Sequence, residues 1–271
     1  MQQNVSEETQ AIDSVVTQPA PDEALLSPSL QTSSKASAHA YEMKFLLPEE
    51  AARQLQSWAA AHLNVDAYAN SEQGNSYQTT TLYLDTVPLD LFHQPQKFRG
   101  RKYRLRRYGQ EASVYLERKR RRGDRVRKRR NCVHEGELVL LETRQQRSGQ
   151  PDEWFHRKVA LHELRPSCCV TYERAAFMKL GITGPMRLTF DRRIRGVRAD
   201  DWSVSPVTDG TQILAGKVIC EFKFRESVPV LFQQVIEEMQ LQPASVSKYR
   251  RLMQAILNPN DCGLEGVARH V

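Results

Sequence analysis

The sequence predicts an α+β fold: about eight mainly antiparallel strands curled into a tunnel, its interior basic and its outside covered by helices. Three observations predict it. The first is an inverted amphipathicity between Lys97 and Arg130. Side chains alternate faces along a strand, so Lys102, Arg104, Arg106 and Tyr108 share one face while Tyr103 and Leu105 share the other. After a turn at Gly109 and Gln110, Tyr115, Glu117 and Lys119 oppose Val114 and Leu116, and a break at Gly123 and Asp124 starts the basic run Arg125 to Arg130. The second is a Glu-x-Lys step that recurs at Glu42-Met43-Lys44, Glu117-Arg118-Lys119 and Glu221-Phe222-Lys223, each flanked by apolar residues of the opposite parity. The third is that arginine and lysine dominate the charged face of every candidate strand, whereas a flat sheet with a solvated face carries mixed polar residues there. A closed barrel gathers these faces into one polyanion-binding lumen.

The elements follow in order. Residues 1–38, rich in Ser, Gln, Ala, Thr and Pro and poor in aromatics, form an expected disordered tail. Tyr41 to Leu47 is a short strand. Pro48-Glu49-Glu50 opens a helix, with proline in the first turn, acids at the positive end of the dipole, and Leu55, Trp58, Ala59 and Leu63 at helical spacing. Asn64 to Tyr77 reads as a loop and Thr79 to Asp85 as a half-buried strand. The three-stranded basic meander follows. Glu135 to Gln146 reads as helical, and Asp152 as the cap of a helix running through Leu164, with Trp154, Phe155, Val159, Leu161 and Leu164 as apolar positions. Cys168 to Arg174, Met186 to Asp191 and Val218 to Phe224 are strands, the first placing Tyr172 and Arg174 on one face. Helices at Pro229 to Leu241 and Ser247 to Leu257 end a domain spanning 39–257, and 258–271 is a polar tail.

With 271 residues, 40% of them hydrophobic, the chain can bury a sizeable core. Its net charge of +7 is concentrated between Lys97 and Arg130, which calls for an anionic partner: nucleic acid, acidic lipid or a phosphorylated small molecule. The cysteines, Cys132, Cys168, Cys169, Cys220 and Cys262, are odd in number and lack CxxC spacing, so reduced thiols in a cytoplasmic protein are expected rather than a disulfide framework or a zinc site. There is no leader pattern and no apolar stretch long enough to span a bilayer. Nor is there a GxxxxGK[ST] loop, a GxSxG elbow or an HExxH pair.

Several of these segments, taken together, resemble a known family. Tyr41-Glu42-Met43-Lys44, Thr81-Leu82-Tyr83-Leu84-Asp85-Thr86, Arg104-Leu105-Arg106-Arg107-Tyr108-Gly109, Leu116-Glu117-Arg118-Lys119, Thr171-Tyr172-Glu173-Arg174, Glu221-Phe222-Lys223 and Ser247-Lys248-Tyr249 stand in the order and rough spacing of the VTC-type polyphosphate polymerase domain. That domain is a triphosphate tunnel metalloenzyme of the CYTH-like superfamily, and the resemblance runs from Tyr41 to about Leu257. It implies an eight-stranded antiparallel tunnel and an enzyme that moves the terminal phosphate of ATP onto a polyphosphate chain threaded through it. It implies that Lys44, Arg104, Arg106, Lys119, Arg174, Arg187, Lys223 and Lys248 hold phosphates, that Lys248, Arg104 and Arg106 act at the transferred group, and that Glu221 binds a divalent metal, Mn²⁺ or Mg²⁺. Arg187 rests only on its place before Leu188-Thr189-Phe190-Asp191. The implied partners are ATP and inorganic polyphosphate, with a membrane-protein partner as a further expectation and nucleic acid not expected.

The residue types suit phosphoryl transfer, which asks for positive charge around phosphate oxygens more than for covalent help. Arginine grips phosphate as a fixed fork and lysine as a point charge. A hard divalent ion needs carboxylate oxygens, for which Glu42 and Glu117 are either second ligands after Glu221 or partners of neighbouring bases. Arg118, Arg120 and Arg122, of opposite parity, are expected on the outer surface, and Lys128 where a returning strand re-enters the lumen. Tyr83 and Tyr108 read equally as core or as phosphate contacts. His93, His134, His156 and His162 read as surface or helix residues. Two alternatives stay open: a tunnel-fold triphosphatase acting on inorganic triphosphate or a nucleotide, and a non-catalytic binder of polyphosphate or nucleic acid.

Overall fold

The alternation read from the sequence builds a sheet whose inner face is charged and whose outer face is apolar. The computed structural model describes residues 40–66, 69, 75–122, 125–145, 147–182 and 184–258; the expected N-terminal tail, the Gly123-Asp124 break and the C-terminal tail beyond Asn258 lie outside them. The strands are β1 (Ala40–Pro48), β2 (Asn64–Val65), β3 (Ser76–Asp85), β4 (Arg101–Tyr108), β5 (Ser113–Arg122), β6 (Arg125–His134), β7 (Arg165–Gly181), β8 (Gly184–Arg198), β9 (Thr211–Gln212) and β10 (Lys217–Arg225). The order is β2-β7-β3-β4-β5-β6-β1-β10-β8-β9, with β8 also paired to β7. Eight strands therefore return on themselves, all antiparallel, while β2 and β9 are short additions to β7 and β8. Among the described residues, β6 and β1 meet through Ala40 against Val126.

Sequence boundaries needed correction where chain length exceeded the alternating motif. The strand expected over Cys168 to Arg174 is the 17-residue β7, and that over Met186 to Asp191 is the 15-residue β8, because their mutual pairing continues out to Gly181 and Gly184. The loop expected from Asn64 to Tyr77 contains β2 and the start of β3. The segment after β6 forms only a 3-10 turn (Glu135–Leu138) and the short α3 (Val139–Glu142).

Two apolar layers cover the ring. α1 (Glu49–His62) and α5 (Val230–Glu238) bury Leu55, Ala59, Phe232 and Val235 against Phe45, Phe222, Leu188 and Phe190, the outward residues of β1, β10 and β8. On the other side α2 (Asp90–His93), α4 (Glu153–Leu161) and α6 (Lys248–Leu257) pack Phe155, Val159, Leu252 and Met253 with Leu82, Leu105, Leu116 and Val170. Asp152 makes no side-chain cap for α4; its carboxylate instead lies 3.2 Å from His156 Nε2 and 3.2 Å from Arg147 Nε. His156 is a helix residue, one of the two readings expected of it, and is buried; Leu161, expected apolar-facing, is exposed. Buried Asp85 fastens α2 and α6 to the end of β3, accepting from the Leu91 N–H at 2.8 Å, the Phe92 N–H at 3.0 Å and the Tyr249 hydroxyl. Among the described residues no helix is long and apolar enough to cross a membrane.

A basic lumen as the candidate active site

Cross-strand register decides which side chains meet inside the ring. Lys102 stands opposite Lys119, Arg104 opposite Glu117, Lys44 opposite Glu221 and Arg174 opposite Asp191. The result is one narrow cavity of about 60 Å³. Lys44, Arg104, Arg106, Lys119, Arg174, Lys223, Lys248 and Glu221 all line it, as expected from the sequence. Arg187 does not. Its guanidinium is fully buried, 2.7 Å from Asp66 and 3.1 Å from the Tyr77 hydroxyl, so its charge is taken up there although its cross-strand partner Lys223 lines the cavity.

Exposure gives the cavity a direction. The side chains of Lys44, Lys119 and Lys223 are 22%, 23% and 17% exposed, whereas those of Arg106 and Arg174 are 4% and 3%. These three lysines form the mouth, and Arg106 and Arg174 the floor. Point charges on flexible stems thus meet a ligand first, and rigid forks hold its buried end.

Three groups of carboxylates hold these cations in place. Glu117, fully buried, accepts from Arg104 Nε at 2.5 Å, Arg130 Nε at 2.8 Å and Lys128 Nζ at 2.9 Å. Burial alone would raise its pKa, but Arg104, Lys128 and Arg130 hold it well below the usual carboxylate range. Asp191, also fully buried, takes Arg174 in a two-pronged grip at 2.7 and 2.8 Å and accepts from Lys248 Nζ as well. At the mouth, Lys44 Nζ lies 3.0 Å from Glu42 and 3.2 Å from Glu221, Lys119 lies 2.6 Å from Glu42, and Lys223 lies 3.2 Å from Glu221. These lysines and arginines hold both glutamates ionised against the burial that opposes it.

Lys102 differs from the other cations. Its Nζ meets Ser247 Oγ at 2.9 Å, and burial together with Lys44, Lys119 and Arg104 pushes its pKa well below the ordinary amine range. Ser247 also caps α6, so the helix start, Lys248 and Lys102 form one corner of the cavity.

The basic run on β6 divides by parity. Lys128 and Arg130 turn inward to Glu117, while Arg129 stacks outside on Trp154 at 4.6 Å and Arg118 at 5.6 Å. Tyr83 lines the cavity; Tyr108 does not, and its buried hydroxyl accepts from Arg130. Sequence reasoning missed Asp191, whose signal was an acid on the inward parity of β8. It assigned no role to Lys102, Tyr172 or Ile219, though parity placed the first two inward. Val246 and Ser247 precede a helix, where alternation gives no signal.

A divalent ion fits this donor set. Among the described residues no three His, Cys, Asp or Glu side chains converge, so the protein offers Glu221 with Glu42, two ionised carboxylates on either side of Lys44. One or two carboxylates completed by phosphate oxygens is how Mg²⁺ and Mn²⁺ are usually held. Glu117 does not fit, since its side chain is fully buried and does not line the cavity.

Fold and lumen together define a β tunnel protein with a basic interior. The chain belongs to the VTC domain family, whose model matches residues 39–257; this associates it with triphosphate and polyphosphate substrates and with divalent metal dependence. Neither this match nor the fold supports a membrane-protein partner. No curated protein matches the chain. Among solved structures, a nominal adenylate cyclase from Bacillus halodurans is similar at 16% identity, with 78% of this chain and 94% of that chain covered and a TM-score of 0.48. HpAC1 from Hippeastrum, a nominal adenylyl cyclase with a dominant triphosphatase activity, is similar at 14% identity, 82% and 99% coverage and a TM-score of 0.49.

Proposed function

We propose that the lumen is the active site of a metal-dependent polyphosphate polymerase that transfers the terminal phosphate of ATP to an inorganic polyphosphate chain. The observation that supports this reading is the convergence of Lys44, Lys102, Arg104, Arg106, Lys119, Arg174, Lys223 and Lys248 on one narrow cavity beside Glu221. Such a cavity suits an extended chain of phosphates and excludes much of the water that would compete as acceptor.

The roles follow from position. Lys44, Lys119 and Lys223 at the mouth receive the anion, exchanging carboxylate for phosphate contacts. Arg104, Arg106 and Arg174 hold oxygens of the deeper phosphates as rigid forks, and Lys248 adds its charge to oxygens of the group in transfer. Glu117 and Asp191 orient these bases and do not contact the substrate. Bound at Glu221 and Glu42, a divalent ion would neutralise phosphate charge. Lys248, held by Asp191, contributes by the placement of its amine.

Incubating purified protein with ATP and Mn²⁺ tests the reading. The expected product is a polymer that survives DNase and RNase and disappears with a polyphosphatase. Glu221→Gln should lose at least about 100-fold of that activity while still binding triphosphate. Orthophosphate released without polymer would instead identify a triphosphatase, and ligand binding without turnover a binder; either overturns the proposal.

A further inference from the structure

The outside of the basic meander carries a second set of cations, on the parity opposite to the lumen. Arg118 and Arg129 face each other across β5 and β6, and Arg101, Arg120 and Arg127 form the next outward row across β4, β5 and β6. That row stands one residue nearer the strand ends than the inward row Lys102, Lys119 and Lys128, so the outer cations begin where the lysine mouth stops. Like charges placed opposite each other on neighbouring strands cost stability. Yet among the described residues no carboxylate is paired with Arg101, Arg118, Arg127, Arg129, Arg157 or Lys158. The indole of Trp154 on α4, itself 4% exposed, instead lies 4.6 Å from the Arg129 guanidinium and 5.6 Å from that of Arg118. Partial burial, then Arg118 and Arg157, lowers the pKa of both Arg129 and Lys158 from their ordinary values, with no acid to offset it. Arg127, Arg129 and Arg157 are exposed.

We propose that this outer face, built on Arg118, Arg127, Arg129 and Arg157, seats the stretch of polyphosphate chain that stands outside the lysine mouth of the lumen. The inference rests on reading the lumen as a polyphosphate site and goes beyond it by giving the chain a second, external seat. Continuity argues for that occupant, since a chain leaving Lys119 and Lys102 meets the outer row within one residue of strand. Charge spacing argues for it too. The cations stand roughly 5 Å apart across strands and roughly 7 Å apart along them, and a bare phosphate chain can follow such a lattice because no bulky group separates its charges. A single nucleic acid strand would draw on exposed aromatic rings for its bases, whereas the indole here is buried under two arginines. Phosphates lying on the face relieve the repulsion between its cations and release their own counterions, so the seat strengthens with chain length and weakens with salt.

The test is to titrate labelled long-chain polyphosphate and labelled tripolyphosphate separately onto the full chain at fixed Mn²⁺ and several salt concentrations. Arg127→Gln/Arg129→Gln/Arg157→Gln should weaken long-chain binding about tenfold and lower its log–log salt slope by about 2, with tripolyphosphate, short enough for the lumen alone, unchanged. Arg127→Gln/Arg157→Gln, which keeps Arg129 on Trp154, should show a smaller loss of the same kind. Removing equal charge from α1, β7 and β8 with Arg53→Gln/Lys179→Gln/Arg193→Gln should leave long-chain binding within about twofold of wild type. Unchanged long-chain binding in folded outer-face variants overturns the proposal, and so does an equal loss in the control set. If the outer-face variants instead lose binding to oligothymidylate or to phosphatidylserine vesicles and keep that to long-chain polyphosphate, the occupant is nucleic acid or a membrane surface and the proposal is again overturned. If ATP yields no polymer but the variants lose long-chain binding selectively, the polymerase reading fails and the outer seat stands; if polymer forms and long-chain binding is unaffected, the outer seat fails and the polymerase reading stands.

Discussion

Asp191 touches no solvent, yet it sets the positions of two of the bases that face the substrate. It grips Arg174 with both oxygens and Lys248 with one, tying β7 and the start of α6 to β8. Asp191→Asn removes the counter-charge that both share, and breaking a buried ion pair from one side costs about 3–5 kcal/mol. Denaturant unfolding should show that loss, and polymer formation by the folded fraction should fall about 100-fold as the two bases lose their aim. A stable, fully active variant would show that neither base depends on this anchor. At this scale the sequence told inward from outward well, because charge on a strand face is a direct signal. It did not tell a base that faces the cavity from one whose charge is satisfied behind it: Arg187 and Arg174 share a pattern on paper and differ only in which acid folds against them.

Elements place these residues through close packing as much as through pairing. Gly196 on β8 lies under α6, and a methyl group there would stand 2.4 Å from Leu252 Cδ2 and 2.6 Å from the Cys169 carbonyl oxygen. Gly196→Ala should therefore lift α6, costing about 1–3 kcal/mol. Since the first turn of that helix carries Lys248 and the cap Ser247, kcat should drop more than the fall in Tm suggests; parallel measurement of both checks this. Equal, small losses would mean that the helix shifts without moving its first turn. Strand existence was legible from alternation, but strand length was not, because β7 and β8 extend each other by mutual pairing that local sequence does not encode. Asp152 illustrates the same limit. Its position favoured a helix cap, while the nearby Arg147 and His156 offered its carboxylate other partners.

For the molecule as a whole, the surplus of positive charge within the ring links binding to pH. The Lys102 amine is depressed by burial and by Lys44, Lys119 and Arg104, so its folded pKa lies below the unfolded one. The unfolded chain then holds the proton more tightly, so this group penalises folding at low pH and the penalty lifts as pH rises through the interval between the two values. A phosphate chain beside Lys102 reverses the depression. Triphosphate binding should accordingly take up protons and tighten as pH falls through that interval, measurable as a dependence of calorimetric heat on the ionisation enthalpy of the buffer. Lys102→Met should abolish the uptake, and heats that ignore the buffer in the native chain would refute the linkage. The ion pair of Glu42 on β1 with Lys119 on β5 adds a mechanical side to the same event. It joins the two strands at the mouth, so an anion seated between Lys44 and Lys119 pulls on both. Ligand then works as a clasp, and the occupied protein should be the stiffer one between them.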